Sequence, residues 1–177
     1  QKALEFARNR KQGDAKIDNR KGVILDHPDV RRMLITMKSL TAAVRALCLD
    51  AALSLDLSKS NNKQIASNEN ARASFLIPIA KAFSTDIGCR VADIGIQVHG
   101  GMGYVEETGI AQVLRDVRVT AIYEGTNGIQ AVDLVGRKLA DSGKAANGLI
   151  DEMKLTISNC SNHEDQQIRE MGTCLLY

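Results

Sequence analysis

The chain has 177 residues and a formal net charge of +2, with 23 basic and 21 acidic side chains interspersed. Such a balance gives no support to nucleic-acid binding, which rests on a concentrated basic stripe, and it argues neither for nor against a small anionic ligand. No apolar run reaches membrane-spanning length, and no signal peptide is visible.

The length suits one domain with a real core. Aromatics are only 3% of residues, so Leu, Ile, Val, Ala and Met must fill it. Cys48, Cys89, Cys160 and Cys174 lack metal-ligand or redox spacing and read as buried or incidental thiols of a reducing, cytoplasmic compartment. His27, His99 and His163 are too scattered for a metal site, and no metal is expected. Gln1 opens in a helical pattern, so a fragment or a processed product is expected.

Residues 1–10 read as the end of a helix, with Leu4, Phe6 and Ala7 beside Arg8 and Arg10. Lys11 to Leu25 is polar, contains Gly13 and Gly22, and reads as a loop. Asp26-His27-Pro28-Asp29 is a helix start: a capping side chain, proline in the first turn, and an acid near the positive helix end. Val30, Leu34, Met37, Val44, Leu47, Ala51 and Leu55 then recur at close to helical spacing, to about Ser58. Ser58 to Asn70 reads as a polar connection. A second long helix carries Phe75, Ala82, Ile87, Val91, Ile94 and Val98, with Pro78 predicting a kink or an early first turn.

Gly100-Gly101-Met102-Gly103 ends that helix, by positive φ or by close backbone approach. Residues 109–118 read as a short helix. Thr126 or Asn127 caps the next one, which is expected to bury Ile129, Val132, Leu134 or Val135, and Leu139. Asp141-Ser142-Gly143-Lys144 is a turn, and a last helix uses Leu149, Met153 and Ile157. The tail from Ser158 has weak periodicity. With no sustained strand alternation, the pattern predicts an all-α antiparallel helical bundle.

Three groups of residues could carry chemistry. In Tyr123-Glu124-Gly125-Thr126, at a loop-to-helix junction, a carboxylate can project into a cleft, and Gly125 leaves room for a ligand. An aromatic neighbour and partial burial would suit Glu124 to act as a base near neutral pH. The plain alternative is a solvated acid near a helix end. Gly100, Gly101 and Gly103 could cradle a phosphate with backbone N–H groups, or simply cap a helix; they follow a helix and so make no Rossmann fingerprint. Arg10 could pair with a cofactor phosphate, or complement a helix dipole. Arg115 and Asp116 read as a structural ion pair, with solvent-facing side chains as the alternative.

Taken together, ARNRKQG (7–13), HPDVRRML (27–34), QVHGGMGY (97–104), VLRDVRV (113–119) and YEGTNGIQ (123–130) closely resemble the C-terminal all-helical domain of acyl-CoA dehydrogenases, over about residues 1–140. The wording also looks like the larger bacterial branch that includes 3-methylmercaptopropionyl-CoA dehydrogenases.

The resemblance implies a flavoenzyme that oxidises an acyl-CoA thioester to a trans-2-enoyl-CoA, with Glu124 abstracting the α proton and FAD taking the β hydrogen as hydride. It implies that the enolate oxygen is held by the Glu124 backbone N–H and a flavin ribitol hydroxyl. It places Arg10 on the FAD pyrophosphate of a neighbouring subunit. Gln97, Gly100 and Gly101 fall on the adenosine diphosphate portion, also across the interface, and Thr126 contacts FAD. Tyr123 and Gly125 line the thioester pocket, and Arg137 lies near the CoA end. The implied partners are a second copy, as homodimer or homotetramer, and electron-transfer flavoprotein as acceptor.

Two positions depart from the family pattern: Gly128 replaces a glutamine that contacts FAD in many members, and RKQG replaces RxxFG and its aromatic. By the same resemblance, residues 1–157 form the C-terminal bundle domain and 158–177 a weakly patterned tail. The family's N-terminal helical and middle β domains are not in this chain, so the piece alone is expected to be poorly active or inactive. The alternatives are a noncatalytic helical assembly domain and an acyl-CoA oxidase-like relative.

Overall fold

The structure, a computed structural model, describes residues 1–12, 22–140 and 142–175. The chain is all-α, a multi-helix bundle, as the periodicity predicts. Its contacts fall into two compact units: Gln1–Asp50 with Pro78–Ala131, and Ala51–Ile77 with Val132–Tyr177.

In the first unit, α1 (Lys2–Asn9) places Ala3 and Ala7 one turn apart on a single buried face. They join Ile24, Met33 and Val98 in a core, with Phe6, Val30, Leu34 and Ile94 packed around it. Burying a side chain the size of Ile24, Met33 or Val98 contributes about 1.5–3 kcal/mol. Phe6 also stacks on the His99 ring, with centroids 4.4 Å apart. His99 is buried, its Nδ1 bonded to the Gly95 carbonyl at 2.7 Å.

A 3₁₀ turn, Ile24–Asp26, precedes α2 (Pro28–Leu57). The helix starts and stops where the sequence predicts, but Asp26 does not cap it. Its carboxylate accepts from the Val23 N–H at 3.1 Å, inside the preceding turn. The Arg31 guanidinium donates to the Leu25 and Asp26 carbonyls at 3.0 and 3.2 Å and ties that turn to α2. Gly13 and the loop through Lys21 lie outside the described residues.

The second long helix, α3 (Lys63–His99), begins seven residues before the end of the expected polar connection. Asn62 explains the early start. Its Oδ1 accepts from the Gln64 and Ile65 N–H groups at 3.0 and 3.3 Å, satisfying donors that the first turn leaves open. Gln64 then bonds Asn68 one turn on, at 3.0 Å. A polar exposed turn thus forms helix with no apolar stripe to announce it. Pro78 sits inside α3 with its side chain fully buried.

At the end of α3, Gly100 takes φ +57 and Gly101–Tyr104 forms a short turn of helix, α4. Gly103 packs on α3: a Cβ there would lie 2.9 Å from Ile96 Cα and 3.0 Å from His99 Cβ. The two glycines therefore serve the two purposes the sequence offers, positive φ at Gly100 and close approach at Gly103. After a 3₁₀ turn, α5 (Ile110–Arg118) buries Ile110 and Ala111. Arg115 and Asp116 are not an ion pair. Arg115 bonds Glu106 at 2.5 Å, which holds its pKa above the ordinary arginine value, and Asp116 accepts from Gln112 at 2.6 Å.

In the second unit, Ala51, Ser54, Ala73 and Leu76 are buried. Arg72 pairs with Glu152 at 2.5 Å, and Lys138 donates to Ser74 at 2.7 Å. Helix α7 (Lys144–Ser161) runs past the expected Ile157, and the weakly periodic tail carries a further helix, α8 (Gln166–Cys174). Asp165 caps α8 through the Gln167 N–H at 2.8 Å. Gly172 lets α8 press on α7, since a Cβ there would meet Ser161 N at 2.8 Å. A short close contact of this kind leaves little apolar periodicity to read.

The four cysteines are free; Cys48 and Cys174 are exposed and the other two half-buried, which fits the incidental rather than the buried alternative. Among the described residues no His, Cys, Asp or Glu cluster could hold a metal, and no helix is long and apolar enough to cross a membrane.

Candidate active site and cofactor cavity

The segment after α5 tightens into a 3₁₀ turn, Val119–Ala121, with Ala121 buried. The Ile122 and Tyr123 N–H groups both return to the Val119 carbonyl, at 2.9 and 3.1 Å. Two residues then adopt positive φ in succession, Glu124 at +53 and Gly125 at +87. For glycine this is cheap. For Glu124 the left-handed region costs roughly 1–2 kcal/mol, so surrounding bonds must hold it there.

Those bonds come from both sides. Thr126 Oγ1 accepts from the Ile129 N–H at 3.4 Å and caps α6 (Asn127–Asp133), as one of the two expected caps. Gln130 Nε2 donates to the Glu124 carbonyl at 3.3 Å. From α3, Lys81 Nζ donates to the Gly125 carbonyl at 2.6 Å and to Asn127 Oδ1 at 3.0 Å. Asn127 Nδ2 faces the Ala82 carbonyl, Thr85 Oγ1 and Asp86 Oδ1 at 3.2, 3.0 and 2.8 Å. Lysine has only donors, so it fixes the amide oxygen towards itself and turns the amide nitrogen to three acceptors. Asn127 is thus an anchor to α3 rather than the cap.

Glu124 itself is exposed, and no described residue pairs with its carboxylate or accepts from its N–H. The partial burial expected at this carboxylate is not supplied by this chain. Tyr123, beside it, is 50% exposed. A Cβ on Gly125 would come 3.1 Å from Gln130 Nε2, so its missing side chain makes room for the turn's own bond.

Arg10 and the sequence-distant Gln97, Gly100 and Gly101 line one cavity of about 780 Å³ together with Phe6 and Met102. Arg10, Gln97 and both glycines are exposed towards solvent. A Cβ on Gly101 would meet nothing within 4 Å, which leaves its backbone open to a ligand. One guanidinium, a side-chain amide and the open Gly101 N–H suit a phosphate-bearing molecule, whereas the Gly100 N–H is already donated to the Gln97 carbonyl at 3.1 Å. The cavity does not include Thr126, which belongs to the Glu124 turn.

Arg137 lies in the second unit, in the π-helical turn Leu134–Lys138 that continues α6. Its Nε pairs with Asp133 at 2.6 Å, and its side chain is largely exposed. Of the apolar residues expected to be buried along this stretch, Leu134 and Leu139 are half-buried, while Ile129, Val132 and Val135 are 60, 73 and 70% exposed.

Sequence reasoning missed Lys81, Thr85 and Asp86. Asn127 was visible only as a possible cap. A lone lysine in the apolar pattern of α3 is the signal that points to a buried-side role. It also missed a second cavity of about 620 Å³, lined by Leu4, Leu34, Ile35 and Met37 with Arg31 and Lys38, which holds none of the expected site residues.

Residues 1–140 match the family model described as acyl-CoA dehydrogenase, C-terminal domain. The chain is 45% identical over 149 residues to 3-methylmercaptopropionyl-CoA dehydrogenase of Ruegeria pomeroyi, covering 82% of this chain and 25% of that protein. It is 39% identical over 141 residues to a butyryl-CoA dehydrogenase of Syntrophomonas wolfei, covering 77% of this chain and 23% of that protein. The chain therefore spans about a quarter of the length of these curated relatives. A solved structure, "Bd2924 apo-form", superposes with a TM-score of 0.62 at 21% identity over 98% of this chain and 36% of that one, a likeness of fold alone. On the match across most of its length, the chain belongs to the acyl-CoA dehydrogenase family, as a C-terminal domain similar to that of the bacterial 3-methylmercaptopropionyl-CoA dehydrogenase.

Proposed function

We propose that this chain is the C-terminal helical domain, residues 1–157 with a tail, of a longer flavoenzyme that converts an acyl-CoA thioester into a trans-2-enoyl-CoA. Glu124 is the α-proton base. One observation carries the assignment: an unpaired carboxylate sits on a backbone turn of unfavourable φ that bonds from α3 and α6 hold in place. A solvated surface acid needs neither the strain nor the clamp.

Glu124 takes the proton from the carbon beside the thioester carbonyl, and its own N–H, without an acceptor among the described residues, donates to the developing enolate oxygen. Tyr123 and Gly125 shape the thioester pocket, and Arg137 meets the CoA end. FAD, when bound, accepts the β hydrogen as hydride. Arg10 would reach the diphosphate, and Gln97, Gly100 and Gly101 the adenosine diphosphate portion, of the FAD bound to a neighbouring subunit, while Thr126 would contact the FAD beside the base. The donor set of the 780 Å³ cavity fits that group.

The Glu124 carboxylate is exposed in this chain, so the N-terminal helical and middle β domains of the longer protein supply the wall that excludes water. The isolated chain is then poorly active. In the same reading the protein is a cytoplasmic homodimer or homotetramer, whose interface would cover apolar side chains such as Val132 and Val135. It passes electrons to electron-transfer flavoprotein.

The test is the visible spectrum of the full-length protein. An oxidised flavin band bleached by an acyl-CoA supports the enzyme. A colourless protein that does not respond refutes it and favours a noncatalytic assembly domain.

A further inference from the structure

The strain at Glu124 requires something rigid to set its direction, and the bonds to α3 identify it. Pro78, Lys81, Ala82 and Thr85 follow the i, i+3, i+4, i+7 spacing of one helix face. Pro78 is fully buried at the start of that face, and Ala82 and Thr85 are half-buried along it. Lys81 is half-buried on it. Its ammonium reaches the Gly125 carbonyl at 2.6 Å and Asn127 Oδ1 at 3.0 Å, one partner at the turn and the other in the first turn of α6. The Thr85 hydroxyl donates back to the Lys81 carbonyl at 2.8 Å and accepts from Asn127, so the acceptor of the ammonium is itself held.

We propose that Lys81 is the positioning residue for the base: by clamping the Gly125 carbonyl and Asn127 to α3 it holds Glu124 in the left-handed conformation that aims its carboxylate and its N–H together. This rests on the assignment of Glu124 as base. Both groups that act on the substrate belong to Glu124, so a rotation about its backbone moves them both. A charged donor to a backbone carbonyl is among the stronger hydrogen bonds available for preventing that rotation. Lys81 touches no reacting atom in this scheme. Its effect is on geometry, where a misplacement of about 1 Å costs about a hundredfold in rate.

The experiment uses the full-length flavoprotein carrying Lys81→Met, which keeps the length and apolar stem of the side chain, and Lys81→Arg, which keeps a donor. Two quantities are read: amide hydrogen exchange of the peptide spanning Ile122 to Gln130, whose Ile122, Tyr123, Ile129 and Gln130 N–H groups are hydrogen-bonded on either side of the turn, and the rate of flavin bleaching by a straight-chain acyl-CoA per bound flavin. The expected result for Lys81→Met is exchange at least about tenfold faster and bleaching about a hundredfold slower. An α-deuterated substrate should show a larger isotope effect than in the native protein, because proton abstraction becomes more fully rate-limiting. Lys81→Arg should recover most of both losses. A Lys81→Met protein with native exchange and bleaching within threefold of native overturns the inference, as does slower turnover that vanishes once it is normalised to bound flavin. If Lys81→Met does not accumulate, Asn127→Ala, which removes one acceptor of the clamp, is read by the same criteria. Glu124→Gln run alongside separates the two assignments: native bleaching there defeats the base, while the exchange measurement still decides whether Lys81 holds the turn.

Discussion

Gly101 and Gly103 stand two residues apart in the same short helix, and the structure gives them opposite requirements. A Cβ on Gly103 would overlap the Ile96 carbonyl and lie 2.9 Å from Ile96 Cα. Backbone of α3 cannot move aside as a flexible side-chain tip can, so Gly103→Ala must push α4 away from it. Overpacking of this kind costs about 1–3 kcal/mol. With a urea dependence of about 2 kcal/mol/M, the unfolding midpoint should fall by about 1 M. A Cβ on Gly101 meets nothing within 4 Å. Gly101→Ala should therefore leave the midpoint in place or raise it slightly, since alanine is worth up to about 1 kcal/mol over glycine in a helix. The same methyl projects where the cofactor's diphosphate is proposed to lie. The assay is urea unfolding of the chain followed by helical circular dichroism, with flavin retention measured on the full-length protein. Gly103→Ala unfolding at the native midpoint would refute the close packing of α4 on α3. Gly101→Ala holding flavin as well as the native protein would refute the backbone approach.

Two further outcomes follow from single side chains. Asn62→Ala removes the cap of α3 and should cost about 1 kcal/mol, read as a lower urea midpoint and as faster hydrogen exchange confined to the first turn after Lys63. An unchanged first turn would mean that the Gln64 to Asn68 pair starts the helix by itself. Arg10→Ala should lower flavin retention by at least about tenfold, the loss of one charge-assisted pair to a phosphate, while leaving the unfolding midpoint unchanged because the side chain is exposed. Equal loss of stability and flavin would assign Arg10 to the fold instead.

Much of this architecture could be read from residue order, for definite reasons. Helix α2 has proline at its first position and a sustained apolar repeat, so both ends were visible. The start of α3 was not, because Asn62 caps a turn whose exposed polar residues leave no periodic signal. Along α6 and the turn that continues it, the apolar repeat is only partly covered: Leu134 and Leu139 are half-buried, but Ile129, Val132 and Val135 are exposed. Periodicity reports which residues share a face and says nothing about whether that face is covered within the same chain. Helix α8 depends on the close approach at Gly172, which a sequence does not display.

At the candidate site the difference is one of distance along the chain. Tyr123 to Thr126 are consecutive, and their spelling alone marks them. Arg10 is linked to the contiguous Gln97, Gly100 and Gly101 only by family resemblance until the fold gathers them at one cavity. The clamp was invisible because Lys81 lies 44 and 46 residues from the partners it holds. The exposure of Glu124 also follows from tertiary arrangement: an aromatic neighbour in sequence does not bury a carboxylate in space.

The assignment of the base is tested most directly by a single-turnover measurement on the full-length protein. Native protein and Glu124→Gln, each with flavin bound, are mixed with excess acyl-CoA, and the rate of bleaching is compared. Glutamine preserves size and hydrogen bonding but cannot accept the proton, so the variant should keep its flavin and bleach several powers of ten more slowly. Bleaching at close to the native rate would place the base on another residue and contradict the account.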